Sequence, residues 1–219
     1  LIAICDQDDI WRSDKIEVQQ EAIKDNLLVY CDSILIDGHG ESMHCKITDK
    51  LNFYRGSSPE AFLFFNCVSG HTILLKRKLL YHIFPFPANY SYDQWLGFVA
   101  SAKGSIDFVD EPLVQYRIHE NNCTNLLGVK NSEVKRKISV KEKLQNESIW
   151  LGICASMDCA SMKIIDELFR KSIKRSDSFF VIAYPIAIWK NRERIFKISK
   201  KSDLSKFFFT LRKMFGFLS

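Results

Sequence analysis

The sequence predicts an α/β domain followed by an α-helical extension, and three observations carry that reading. Short apolar runs of strand length alternate with helix-length segments through residue 117. From 133 to 175 the pattern becomes almost wholly helical. Residues 190–219 then hold nine Lys/Arg against two Asp/Glu, a separate basic tail.

Taken in order, residues 1–5 ("LIAIC") read as a fully buried strand ending at the acidic cluster Asp6, Asp8, Asp9. Ser13 or Asp14 caps a helix over 15–24, with Ile16, Val18 and Ile23 giving a modest apolar face. Residues 27–36 ("LLVYCDSILI") form a second strand, closed by the turn Asp37-Gly38-His39-Gly40. Residues 41–58 lack periodicity and read as an irregular excursion. Pro59 suits the first turn of a short helix over 59–65. Residues 68–75 ("VSGHTILL") read as a strand, with a basic helix over 76–83 behind it. Pro85 and Pro87 bracket a loop leading to Tyr92 and Asp93, and a helix over 94–103 stops at Gly104. Runs at 106–109 and 113–117 are short strands on either side of Pro112. In the extension, Leu144, Leu151, Cys154, Met162, Ile165 and Leu168 mark a buried stripe. The apolar run 178–189 is interrupted by Pro185, and the tail interleaves its cations with Phe196, Phe207, Phe208, Phe209, Phe215 and Phe217.

Composition narrows the class. With 47% hydrophobic and 26% charged residues over 219 positions, the chain has an ordinary globular balance. No run reaches the roughly 18 apolar residues that a spanning helix needs. Seven cysteines, an odd number without a Cys-x-x-Cys pair, argue against zinc or a disulfide framework and fit a reducing, cytoplasmic setting. Because the chain opens inside a strand pattern, it reads as the C-terminal part of a longer domain. The +7 of residues 190–219 exceeds the +5 of the whole chain, which leaves −2 for residues 1–189. The basic balance belongs to the tail.

Three carboxylates within four residues repel one another, and a divalent cation offsets that cost. Hard oxygen donors on a tight turn suit Mg²⁺ or Mn²⁺. An EF-hand fails, because Ile10 and Trp11 occupy the positions where that loop needs a ligand and a glycine. A metal-dependent phosphatase of the Asp-x-Asp type is an alternative, although its later acidic loop has no counterpart downstream. An acidic turn without any ligand is the plain alternative.

Four segments in order narrow this further: "CDQDDIW", "LVYCDSILID", "CVSGHTILLKR" and "YDQWLGFVASAKGSIDFVDEPLVQYRIHENN". Together they resemble family-2 glycosyltransferases, close to rhamnosyltransferase-like members, over about residues 1–125. The resemblance implies a GT-A fold, here partial because the first nucleotide-binding strands of that fold would precede Leu1. It implies transfer of one sugar from a nucleotide-sugar donor to a saccharide or lipid-linked acceptor, metal-assisted and inverting, in cell-surface polysaccharide synthesis. The Gln-x-x-Arg-Trp motif of processive synthases is missing, in keeping with single transfers.

The resemblance also implies roles. Asp8 would ligate the metal directly, and Asp6 would reach the metal or the ribose. Asp9 would serve as a supporting acceptor or as a helix cap. Asp93 would take the acceptor's proton as general base, or cap the helix behind it. His119 would ligate the metal or donate to the diphosphate, with Arg117 adding charge. Trp95 would face a sugar or belong to the core. His71 stands where relatives carry a small residue or Cys and is not assigned to the site, while Ser69-Gly70 lets the backbone approach substrate.

The expected organisation is therefore a transferase domain over 1–125 and a basic helical extension over 126–219. No nucleic-acid motif accompanies the tail. Residues 190–219 are expected to make a peripheral contact at the inner face of an anionic membrane. A non-catalytic membrane- or partner-binding module on a decayed transferase fold is the alternative from a different class.

Overall fold

In the computed structural model, which describes residues 1–118 and 139–216, a six-stranded mixed sheet carries helices on both faces. The strands are β1 (Ile2–Ala3), β2 (Ile10–Trp11), β3 (Leu28–Ile36), β4 (Ser42–Lys46), β5 (Leu74–Leu75) and β6 (Ile106–Arg117). The helices are α1 (Lys15–Ile23), α2 (Leu80–Ile83), α3 (Tyr92–Lys103), α4 (Val140–Ala155), α5 (Met162–Ser176), α6 (Ala183–Lys190), α7 (Arg192–Ile195) and α8 (Asp203–Arg212).

β3 is the organising element. Its apolar run is buried on both faces, the pattern of a strand covered on each side. Along one edge it pairs in parallel with β6, from Leu28 opposite Ile106 to Ile36 opposite Arg117. Its other edge is shared: β5 pairs antiparallel with the first half and β4 with the second. The sheet order is β1-β5-β3-β6-β2, with β4 off that path. Pro112 does not split β6 into two strands. It falls where the β3–β6 register shifts, a place that tolerates a residue with no N–H to donate.

Several local expectations are corrected. β1 is only half-buried and two residues long, because it pairs solely with the equally short β5. Residues 42–46, expected to be irregular, form β4, whose exposed side chains give no apolar alternation to read. Asp14 sits at the N-cap of α1 without capping it, since its carboxylate pairs with Arg12 at 2.5 Å. Residues 59–62 make a 3₁₀ turn. Pro185 lies inside α6 rather than breaking it, in the first turn, where its missing N–H costs nothing.

α1 covers one face of the sheet through Ile23, against Val29 and Leu74. α3 and the later helices cover the other in one apolar cluster running from Leu27 to Ile198. The extension is bound into that core. Trp150 meets Phe98 at 6.1 Å and donates its indole N–H to the Leu63 carbonyl at 3.0 Å. Further along, Arg194 pairs with the fully buried Glu60 at 2.9 Å, and the Asn52 N–H donates to the Ile198 carbonyl. Leu144, Leu151, Cys154, Ile165 and Leu168 are buried as expected, whereas Met162, at the first turn of α5, is exposed. Phe196 is buried, and Phe209 packs on Phe65 at 5.4 Å. The expected boundary at 125/126, Cys123 and Phe217 lie outside the described residues. Among the described residues, six cysteines are free thiols and no helix is long and apolar enough to cross a membrane.

Candidate metal centre

The acidic cluster occupies the connection between β1 and β2, two strands at opposite ends of the sheet. Gln7 and Asp8 form the turn itself. Asp6 before it and Asp9 after it are the carboxylates brought to a common point, and the third group there is His71. One ligand atom from each of the three lies within 4.8 Å of the others. His71 Nδ1 stands 3.5 Å from Asp9 Oδ2 and 3.8 Å from Asp6 Oδ2.

His71 reaches this point because residues 68–75 do not form one strand. Gly70–Thr72 is a single 3₁₀ turn, and only Leu74–Leu75 is extended in the sheet. Two buried side chains on α1, four residues apart, hold the turn by its carbonyls. Lys15 Nζ donates to the His71 carbonyl at 3.0 Å, and Gln19 Nε2 donates to that of Thr72 at 2.7 Å. A Cβ at Gly70 would lie 1.7 Å from the Tyr92 hydroxyl, so only glycine admits Tyr92 against this turn. The imidazole stacks on Tyr116 at 4.5 Å with 10° between planes, and its Nε2 lies 2.9 Å from Ser33 Oγ.

Electrostatics fix the charge states. Burial pushes His71 down to about 3, and the Lys15 ammonium adds to the effect, so the ring is neutral. With a cation at Nδ1, the ring would carry its proton on Nε2 and donate it to Ser33; without one, a proton on Nδ1 would face the two carboxylates and Nε2 would accept from the Ser33 hydroxyl. Burial likewise pushes Asp9 up to about 6, reinforced by Asp8 and Asp6 and opposed by the Arg117 backbone N–H. Asp6 is raised by burial and by Asp8.

Asp9 is the telling residue. Its side chain has 0% exposure, and Oδ1 accepts the Arg117 backbone N–H at 3.0 Å, but Oδ2 has no hydrogen-bond partner. A buried acceptor left in that state costs roughly 1–3 kcal/mol, and more when charged. A divalent cation between Asp6, Asp9 and Nδ1 would satisfy the oxygen, accept the lone pair and screen the carboxylates together. The donor set fits such an ion. One imidazole with two carboxylates suits Mn²⁺ or a similar first-row ion better than Mg²⁺, which favours oxygen alone. With its side chain 41% exposed, Asp6 leaves one flank open to a ligand.

The other expected residues fall around this centre. Asp8 is not one of the three clustered groups; its carbonyl accepts from Arg117 Nε at 3.0 Å and its charge acts on Asp9 and His71. Arg117 ties loops together, since Nη1 also donates to the carbonyls of Asp37 and Gly38 at 3.1 and 3.2 Å. Asp93 lies in the first turn of α3, where Oδ1 accepts from the Ser91 hydroxyl and from the Gln94 N–H at 2.6 Å. Burial raises Asp93 and the charge of Asp6 raises it further, which puts the two carboxylates in one electrostatic neighbourhood. Tyr92 is pushed up to about 12, by burial first and then by the charges of Asp6 and Asp93. Trp95 is core, stacked on Phe98 and donating to the Ile83 carbonyl at 2.8 Å. His119 lies outside the described residues.

The sequence placed Asp6 and Asp9 in the acidic cluster, with Asp9 only as a supporting acceptor or helix cap, and left His71 unassigned. Asp9 is not a helix cap, because the N-cap of α1 is Asp14. The signal that could have found His71 is the glycine before it, which breaks an otherwise strand-like run. Comparison of the chain with family models, with curated proteins and with solved structures gives no match.

Proposed function

We propose that this chain is the metal-bearing part of a glycosyltransferase that moves one sugar from a nucleotide-sugar to an acceptor hydroxyl with inversion. The observation that carries the reading is the partnerless, buried Asp9 Oδ2 facing His71 Nδ1. The resemblance of four ordered segments to family-2 glycosyltransferases supports the same assignment.

A cation held by Asp6, Asp9 and His71 would neutralise a diphosphate and the charge that builds on it as it leaves. The chain's own residues do the rest. Asp93 faces the acceptor side and takes the hydroxyl proton as that oxygen attacks the anomeric carbon, while the bond from that carbon to the diphosphate oxygen breaks. Its raised affinity for protons suits this work, because a base strengthened toward neutrality captures a proton more readily. The Ser91 hydroxyl and Gln94 N–H fix the carboxylate rotamer. Tyr116 backs the His71 ring, and the Tyr92 hydroxyl lies against Gly70 beside it.

The test is release of nucleoside diphosphate from a panel of nucleotide-sugars with Mn²⁺ present, comparing the native chain with Asp93→Asn. The amide keeps the shape and cannot accept a proton. The expected result is a loss on the order of 10²- to 10⁴-fold in turnover with donor affinity nearly unchanged. If Mn²⁺ leaves the melting temperature of the native chain unchanged, the reading is wrong. Weakened donor binding with normal turnover in Asp93→Asn would instead move Asp93 to the donor side.

A further inference from the structure

A surface helix normally turns its apolar stripe inward and its polar face to water. On α8, Leu204, Phe207, Phe208 and Leu211 repeat at helical spacing, and all four point outward, 37 to 66% exposed. The opposite side of the same helix does the packing: Thr210 is buried, and Phe209 lies 5.4 Å from Phe65 and 5.6 Å from Phe196. The helix is therefore apolar on two faces, and the core covers one of them.

α6 repeats the arrangement. Ile182, just before it, and Ile186 within it are 53 and 59% exposed, while Tyr184, Ala187 and Ile188 are buried beneath. The two helices are joined at both ends. The Val181 N–H donates to the Met214 carbonyl at 2.9 Å, the Phe180 ring meets Phe215 at 6.0 Å, and Trp189 meets Phe207 at 5.5 Å. The exposed apolar groups thus lie on two helices that touch through Trp189 and Phe207. Soluble proteins leave such faces bare only where something covers them.

Charge identifies the occupant. Lys190, Arg192 and Arg212 are exposed at or just past the ends of these helices, and Arg192 lies over the Trp189 ring that meets Phe207. Lys197, Lys200 and Lys201 are turned inward instead, to the Tyr54 ring, the Thr48 carbonyl and the Phe209 ring. Residues 190–213 hold only Glu193 and Asp203 as acids. A second copy of this chain would bring two basic rims together and meet their repulsion. An apolar face with a cationic rim complements an anionic bilayer, where rings enter the boundary of the acyl chains and Lys/Arg meet the phosphates.

We infer that the α6–α8 face, with Leu204, Phe207, Phe208 and Ile186 at its centre, docks the protein on an anionic lipid surface. Phe196 and Phe209 take no part, because both are committed to the core. The attachment is reversible and weakens as salt screens the rim.

Co-sedimentation of the chain with vesicles decides the matter. One set holds equal parts phosphatidylglycerol and phosphatidylcholine, and the other holds phosphatidylcholine alone. The expected result is binding to the anionic set only, reduced by roughly tenfold for each ring removed in Phe207→Ser and Phe208→Ser. Both rings are exposed, and unchanged melting of the variants in solution confirms that folding is intact. A charge variant, Lys190→Glu with Arg212→Glu, is expected to lose anionic binding while keeping its fold. Equal binding to both vesicle sets, or native binding by the ring variants, overturns the inference. So does a lipid-free dimer, seen by sedimentation, that Phe208→Ser dissolves, since a second copy would then be the occupant.

Discussion

Two carboxylates in this molecule, the partly buried Glu147 and the buried Asp9 side chain, are treated in opposite ways. Glu147 on α4 is met by its own protein: Oε1 accepts from Arg175 Nη1 at 2.9 Å and from the Tyr184 hydroxyl at 2.8 Å, and Oε2 pairs with Lys213. Those partners come from α5, from α6 and from the residue closing α8, so one charge ties the last helices to α4. Asp9 receives one backbone N–H, and the groups that face its other oxygen are a neutral imidazole and a further carboxylate. The first carboxylate closes a structure. The second lacks only a cation, and that difference separates a clasp from a binding site.

The largest effect is expected at the clasp. Glu147→Gln keeps the shape but leaves Arg175 and Lys213 facing each other without a counter-charge. The expected destabilisation is on the order of 3 kcal/mol, read by denaturant unfolding, with no dependence on added metal. A metal-dependent loss would show that the two sites are linked.

A smaller effect of opposite character is expected at Asp9. Asp9→Asn removes the repulsion and the buried charge, so stability without metal is expected to hold or to rise. The native chain should gain about 2.7 kcal/mol from Mn²⁺ at about 100 times its Kd, a gain the variant loses. Thermal melts with and without Mn²⁺ report both quantities. A variant that melts lower without metal and still responds to Mn²⁺ would place the ion elsewhere.

The smallest effect is a dependence on pH. Asp9 is raised to about 6, so the folded chain without metal holds this proton more tightly than the unfolded chain does. That contribution to stability is present at low pH and is lost as pH rises through about 6. Metal competes with the same proton, so affinity for Mn²⁺ is expected to fall about tenfold per pH unit below that point. His71, lowered to about 3, does not compete in this range. Calorimetry across pH gives the break, and the ring nitrogen shifts of His71 identify its source. An imidazole titrating near its ordinary value would reassign the break to His71.

Much of the fold was legible because it rests on local chemistry. The continuous apolar run of β3, the Asp37–Gly40 turn, the stop at Gly104 and the buried stripe of α4 and α5 all follow from residue spacing and turn preference. β4 was not legible, since its pairing with β3 is made by backbone groups under exposed side chains. The acidic turn was legible as a cluster that wants a cation, but the pairing within it was not. Asp6 and Asp8 are the motif, whereas Asp6 and Asp9 are the two that meet His71.

The sequence by itself determined an α/β sheet with a helical, basic extension, a carboxylate turn after the first strand, and an aspartate at the start of α3. Only the tertiary structure decided that the extension shares the core, that Lys15 and Gln19 hold residues 70–72 out of the sheet, and that His71 thereby completes the cluster. The physical reason is range. Helix faces and turns are settled among residues a few positions apart, whereas a metal centre joins groups more than sixty positions apart. Such distant groups meet only when burial and backbone hydrogen bonds elsewhere have set their elements in place.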